Sequence, residues 1–152
     1  MGWFLCSISR SQPRNWDLCK EVGLFAVTTA SRTGADRRVQ VGDHLLFWVG
    51  GRGYTATGLV TGDPYKPRSR AEAPWPGGTY NFRTVIPFQV QHEPSKPLFW
   101  KFVNARQIET GFASVLFQMG MTDLSSQDAT RIVAAMLQDD MNGAPVPSAD
   151  SA

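Results

Sequence analysis

The stretch VQVGDHLLFWVGGRGYTATGLVT, residues 39–61, holds two strands and the turn between them. Residues 44–49 form one apolar run with no polar alternation. A short run of this kind is a strand buried on both faces, as in a barrel with helices packed outside it. Gly42-Asp43 is a turn before it, and GGRG (50–53) is a turn after it. Residues 54–61 alternate, with Tyr54, Ala56, Gly58 and Val60 on one face. Two such strands joined by a Gly-rich turn make a hairpin.

Toward the N-terminus, WFLCSIS (3–9) is β-rich and apolar and reads as a strand. SQPRNWDLCKEVG (11–23) reads as a short helix, with Ser11 as its cap, Pro13 in its first turn and Gly23 at its exit. LFAVTTA (24–30) is a second strand, and SRTGADRR (31–38) is a polar, basic loop. Toward the C-terminus, a loop rich in Pro, Arg and Gly covers 62–79. TVIPFQVQ (84–91) is a strand that Pro87 places at an edge or a bulge. LFWKFV (98–103) reads as a strand or a short helix, and 107–121 is apolar without a clear period.

SSQDATRIVAAMLQDD (125–140) is the clearest helix. Ser125 and Asp128 resemble a capping box. Ile132, Ala135 and Met136 share a face, with Val133 and Leu137 beside it. Residues 142–152 have the composition of a disordered acidic tail. The organisation is therefore one domain over 1–141. Its class is α+β, a small twisted mixed β-barrel flanked by short helices.

The chain has 152 residues, 42% of them hydrophobic, so one domain can bury a real core. No run of about 18 apolar residues predicts a membrane helix. The first residues lack the pattern of a signal peptide. Cys6 and Cys19 do not make a disulfide framework and read as buried, reduced thiols of a cytoplasmic protein. His44 and His92 stand at no ligand spacing from a cysteine, so no metal and no cofactor are expected. Nucleotide loops, nucleophile elbows and carboxylate clusters are missing, so no catalytic residue is assigned. Residues 1–120 carry 14 Lys/Arg against 8 Asp/Glu, whereas 121–152 carry one Arg and 5 Asp. Arg outnumbers Lys by 11 to 4, which suits forked contacts to phosphate as well as a high-GC genome.

RAEAPWPGGTYNFR (70–83) sets Trp75 between two prolines, with Tyr80 beyond two glycines. An aromatic held in a rigid loop is a stacking surface for a planar ligand. Core packing accounts better for Trp48 and Tyr54. Arg10, Arg14, Arg32, Arg68, Arg70 and Arg83 are candidates for phosphate.

The pattern NWDLCKEVGLFAV, VQVGDHLLFWVGGRGYTATGLVTGDPY, APW and YNFRTVIPFQV resembles the EVE domain family. That family belongs to the PUA-like superfamily, related to YTH and ASCH domains. The likeness spans about residues 3–92 and rests on the order and spacing of the elements. It implies a barrel with a pocket at one mouth, where relatives take a flipped, modified base into an aromatic cage. Carried across, Phe25 stands where relatives commonly have a cage Trp. Trp75 stands where the second cage aromatic arrives, and Asn15 stands in the turn that contacts the base edge. Ser7, Ser9 and Trp16 would line the same mouth. Phe25 in place of Trp makes that wall smaller. GGTYNFRT (77–84) departs from the usual aromatic-Pro-x-Arg pattern, so either Tyr80 or Arg83 could complete the site.

The resemblance thus implies a non-enzymatic module that reads a modified cytosine or adenine in DNA or RNA, with a separate effector such as a nuclease. A small-molecule or nucleotide binder on the same fold, or an ASCH-like RNA-processing hydrolase, is the alternative.

Overall fold

The structure, a computed structural model, describes residues 2–29, 31, 33–99 and 119–143. Its order is β1 (Trp3–Ile8), α1 (Arg14–Val22), β2 (Leu24–Thr28), β3 (His44–Val49), β4 (Gly53–Val60), α2 (Gly78–Asn81), β5 (Phe82–His92), β6 (Met119–Leu124) and α3 (Ser126–Gly143). Short 3-10 turns lie at Ala35–Arg37 and Arg70–Glu72. The strands form one mixed sheet in the order β2-β5-β4-β3-β1-β6. β1 and β3 pair in parallel; the other pairs are antiparallel. The outer strands β2 and β6 approach each other, so the twisted sheet curls into a nearly closed barrel. This is the α+β twisted barrel expected from the sequence.

The continuous apolar run of β3 has the expected cause. Leu45, Phe47 and Val49 belong to the barrel interior, with Phe4, Cys6 and Ile8 of β1 beside them. Leu46 and Trp48 belong to a second cluster on the other face, with Leu5, Tyr54 and Leu124. Ala129, Ile132 and Met136 of α3 cover that cluster, a stripe spaced by three and four residues. Both faces of β3 are therefore shielded from water. Leu137, expected beside that stripe, is exposed instead, and Ala135 is only half-buried. The helix begins as read, with the Asp128 N–H donating to Ser125 Oγ at 3.1 Å. It runs to Gly143, slightly past the expected domain end.

Two local readings need correction, and one open segment is resolved. Ser11 does not cap α1: its hydroxyl pairs with Ser9 Oγ at 2.8 Å, and Pro13 takes the cap position without a side-chain bond. Pro87 is not on an edge strand, because β5 lies between β2 and β4. It falls where β5 leaves β2, opposite Leu24, and joins β4, opposite Val60 from Phe88 onward. A missing N–H is tolerated where a strand changes partner. Last, β6 emerges as a strand from the end of a stretch with no clear period. Residues 100–118 and 144–152, including most of the 98–103 segment and the tail, lie outside the described residues.

Candidate functional site

α1 presents Asn15, Trp16 and Cys19 as its buried face. Asn15 and Cys19 stand four residues apart and therefore on one side of the helix. The helix stops at Gly23, which is left-handed (φ 70°) and donates its N–H to Cys19 O at 2.8 Å. That exit sends the chain straight into β2, so Phe25 enters the barrel core.

Trp75 arrives from the long connection between β4 and β5. The sequence places it in a rigid loop as a stacking surface. It is wholly buried, at 0% exposure, and its ring packs against Phe82 at 5.2 Å. It neighbours the Cys19 thiol. Burial pushes that thiol's pKa well up, while Trp75 and a backbone group pull the other way. The approach falls short of hydrogen-bond geometry, and Trp75 Nε1 has no acceptor among the described residues. Asn15 Nδ2, on the same side of α1 as Cys19, likewise has none. Two buried N–H donors without acceptors thus flank one helix face.

The other expected site residues sit as follows. Phe25 is wholly buried but meets the edge of Phe47 at 5.8 Å, so Phe25 and Trp75 stack on different partners within one core cluster. Trp16 packs on Phe47 at 4.6 Å and donates its indole N–H to Glu93 Oε2 at 3.2 Å. Lys20 reaches the same oxygen at 2.9 Å and lies over the Trp16 ring. Trp16 is therefore tied to the far end of β5. Ser7 alternates with Cys6 and Ile8 and so shares the face of Leu5, away from the barrel interior. Ser9 is buried and pairs with Ser11. Tyr80 is 89% exposed on α2.

Among the arginines, Arg10 is exposed on the connection from β1 to α1, against the Gly50 turn, and Arg14 is exposed as the first residue of α1, before Asn15. Arg68 pairs with Glu72 at 3.3 Å and lies over the Tyr65 ring, and Arg70 is exposed. Arg32 lies outside the described residues. Arg83, expected on phosphate, turns inward. Its Nε and Nη2 donate to the two oxygens of Asp36, and Nη1 donates to Ser31 O. Thr84 Oγ1 adds a 2.6 Å bond to Asp36 Oδ2. Sequence reasoning did not pair Arg83 with Asp36; the one signal was a lone acid inside the basic loop 31–38.

Cys6 and Cys19 are both free and buried, and burial raises both thiols far above their ordinary range. A thiol held protonated is a poor nucleophile. Among the described residues no group of three or more His, Cys, Asp or Glu could hold a metal ion, and no helix is long and apolar enough to cross a membrane.

No family model matches the chain, and no curated protein matches its sequence. Solved structures do resemble it. The YTH domain of mmi1, in complex with RNA, has a TM-score of 0.59 at 11% identity, covering 93% of this chain and 84% of that one. A hypothetical protein from Leishmania major has a TM-score of 0.57 at 14% identity, covering 91% of this chain and 96% of that one. A protein from Rhodopseudomonas palustris has a TM-score of 0.56 at 11% identity, covering 90% and 92%. At such identities the likeness is one of fold: this chain has the α+β twisted barrel found in YTH domains.

Proposed function

We propose that this domain is a non-enzymatic nucleic-acid-binding module of the EVE type. It takes a modified cytosine or adenine, flipped out of its strand, between Trp75 and the Asn15 side of α1. The observation that carries this reading is the pair of buried donors, Asn15 Nδ2 and Trp75 Nε1, without acceptors among the described residues. An unpaired buried donor costs about 1–3 kcal/mol. A base edge offers carbonyl oxygens and ring nitrogens as acceptors, and its face offers a stacking partner for the indole. The RNA-bound mmi1 YTH domain, sharing the fold, supports a nucleic-acid ligand.

Trp75 fills its own site, so admission of a base requires its ring to leave that seat. Gly77 (φ 92°) and Gly78 (φ 52°), two and three residues after Trp75, are in left-handed conformations and supply the bend. Phe25, in the same core cluster, stacks on Phe47 and not on Trp75. Exposed Arg14 directly precedes Asn15 at the start of α1, where a backbone phosphate would sit. Two protonated buried thiols support binding rather than nucleophilic catalysis, and fit a reducing, cytoplasmic setting. Any consequence for the bound strand would come from a separate effector, such as a nuclease.

The test is a fluorescence titration with matched oligonucleotides, plain and modified, in DNA and RNA. Trp75→Ala removes the preference for the modified base. Arg14→Ala weakens binding to every sequence and flattens its salt dependence. Equal binding across the panel sinks the reading. A free nucleoside or other small planar ligand is the second reading, favoured by how dry the Trp75 site is. Thermal shift with free nucleosides against oligonucleotides separates the two, since a ligand stabilises only the fold that binds it.

A further inference from the structure

Trp75 and Tyr80 belong to one hydrogen-bonded turn but point opposite ways. Trp75 O accepts the Gly78 N–H at 2.9 Å, and Gly77 O accepts the Tyr80 N–H at 3.2 Å. Asn81 fastens the turn at both sides: its Nδ2 donates to Pro76 O at 3.2 Å, and its carbonyl accepts the Thr29 N–H at 2.8 Å. One aromatic of this turn is wholly buried, and the other is 89% exposed. An exposed ring of that size on a pinned turn is a surface without a use in the barrel core.

Arg70 reaches the same turn. A β-carbon placed on Gly78 would meet Arg70 Nη1 at 2.7 Å, so the guanidinium lies over Gly78, two residues from Tyr80. Arg70 is exposed, and no salt bridge to it is found among the described residues. Lys66 and Arg68 lie exposed on the same connection. One turn therefore carries an exposed aromatic ring and is reached by an exposed cation. That combination matches one nucleotide, a planar base with an anionic phosphate.

We propose that Tyr80 and Arg70 form a second subsite that holds the nucleotide adjacent to the flipped one. Tyr80 stacks on its base and Arg70 meets the phosphate between the two. This rests on the base-reading function proposed above and makes it more specific. The ligand is then a strand of at least two nucleotides whose neighbouring base is free to leave its own stack. A single strand meets that condition, and a continuous duplex does not.

The experiment compares wild type, Tyr80→Ala and Trp75→Ala with three probes: the modified nucleoside, a single-stranded hexanucleotide carrying it, and the same sequence as a duplex. N6-methyladenine and 5-methylcytosine versions are used in DNA and in RNA. Tyr80 is so exposed that its removal should leave folding intact, and circular dichroism checks this. The expected result is a loss of about tenfold or more in hexanucleotide affinity for Tyr80→Ala, with nucleoside binding unchanged and the duplex weaker than the single strand. An unchanged hexanucleotide affinity in Tyr80→Ala overturns the subsite. If Trp75→Ala still removes the modified-base preference in that case, the base-reading function stands without it. If no probe binds wild type, both fall together.

Discussion

The guanidinium of Arg83 grips both carboxylate oxygens of Asp36, Nε to Oδ2 at 3.0 Å and Nη2 to Oδ1 at 2.9 Å. Asp36 is almost completely buried, and Arg83 is one-quarter exposed. The pair fastens the 31–38 loop to the start of β5, one residue after Phe82, on which Trp75 packs. Removing one partner of such a pair strands a buried charge and costs about 3–5 kcal/mol. Arg83→Met is expected to lower stability by that amount in urea unfolding. A cost under about 1 kcal/mol would return Arg83 to the surface and to the list of phosphate contacts.

The same pair sets an acid limb. Burial alone would raise the Asp36 pKa, but the bonds from Arg83 and Thr84 outweigh it and hold the carboxyl below its ordinary value. A group depressed in the folded state stabilises fully above its unfolded pKa, about 3.9. That stabilisation is lost as pH falls through the folded value. Unfolding free energy is therefore expected to fall below about pH 4, and Asp36→Asn, though less stable at neutral pH, should show a shallower fall.

Tyr54 sets the opposite limb. Burial first, and then the nearby Asp128 charge, push its phenol up to about 12. A group raised in the folded state stabilises fully below its unfolded pKa, about 10, and that contribution is lost as pH climbs toward 12. The raised thiols of Cys6 and Cys19 act in the same direction from about pH 8.5 upward. Tyr54→Phe isolates the phenol: its stability should decline less than wild type between pH 10 and 12, by on the order of 2 kcal/mol. Parallel declines would show that Tyr54 is not shielded as described.

The barrel was legible because β3 is apolar on both faces, and only a layered surrounding satisfies that pattern. β6 was not, since Met119–Leu124 contains Gly120 and Asp123 and has little strand propensity of its own. Its strand character comes from pairing with β1. The site residues Asn15 and Trp75 could be named from the sequence, but not their burial. That depends on a loop folding back onto α1, a contact no local pattern encodes. Arg83 was misread for the same reason: its partner Asp36 comes from a distant loop. Pro and Gly around Trp75 correctly marked a turn, yet a turn can bury a side chain when its backbone bonds are met within it.

The turn itself depends on Gly77. Its φ of 92° is strained for any other residue, and a β-carbon there would lie 2.1 Å from Asn81 Nδ2. Gly77→Ala is expected to destabilise by about 1–2 kcal/mol or more and to loosen the seat of Trp75, seen as a red shift in tryptophan emission. A neutral substitution would mean that the turn tolerates another path.

Asn15 carries the central claim. Its side chain is buried with a donor that has no acceptor among the described residues, an arrangement that lowers stability and that an apolar residue of similar shape would relieve. Asn15→Leu is therefore expected to be as stable as wild type or more so, by about 1 kcal/mol, while losing function. The decisive measurement is the affinity of wild type and Asn15→Leu for matched plain and modified single-stranded oligonucleotides. The account expects wild type to favour one modified base and the folded Asn15→Leu protein to lose that preference. Wild type that binds all members of the panel alike, or an Asn15→Leu protein that keeps the full preference, would contradict it.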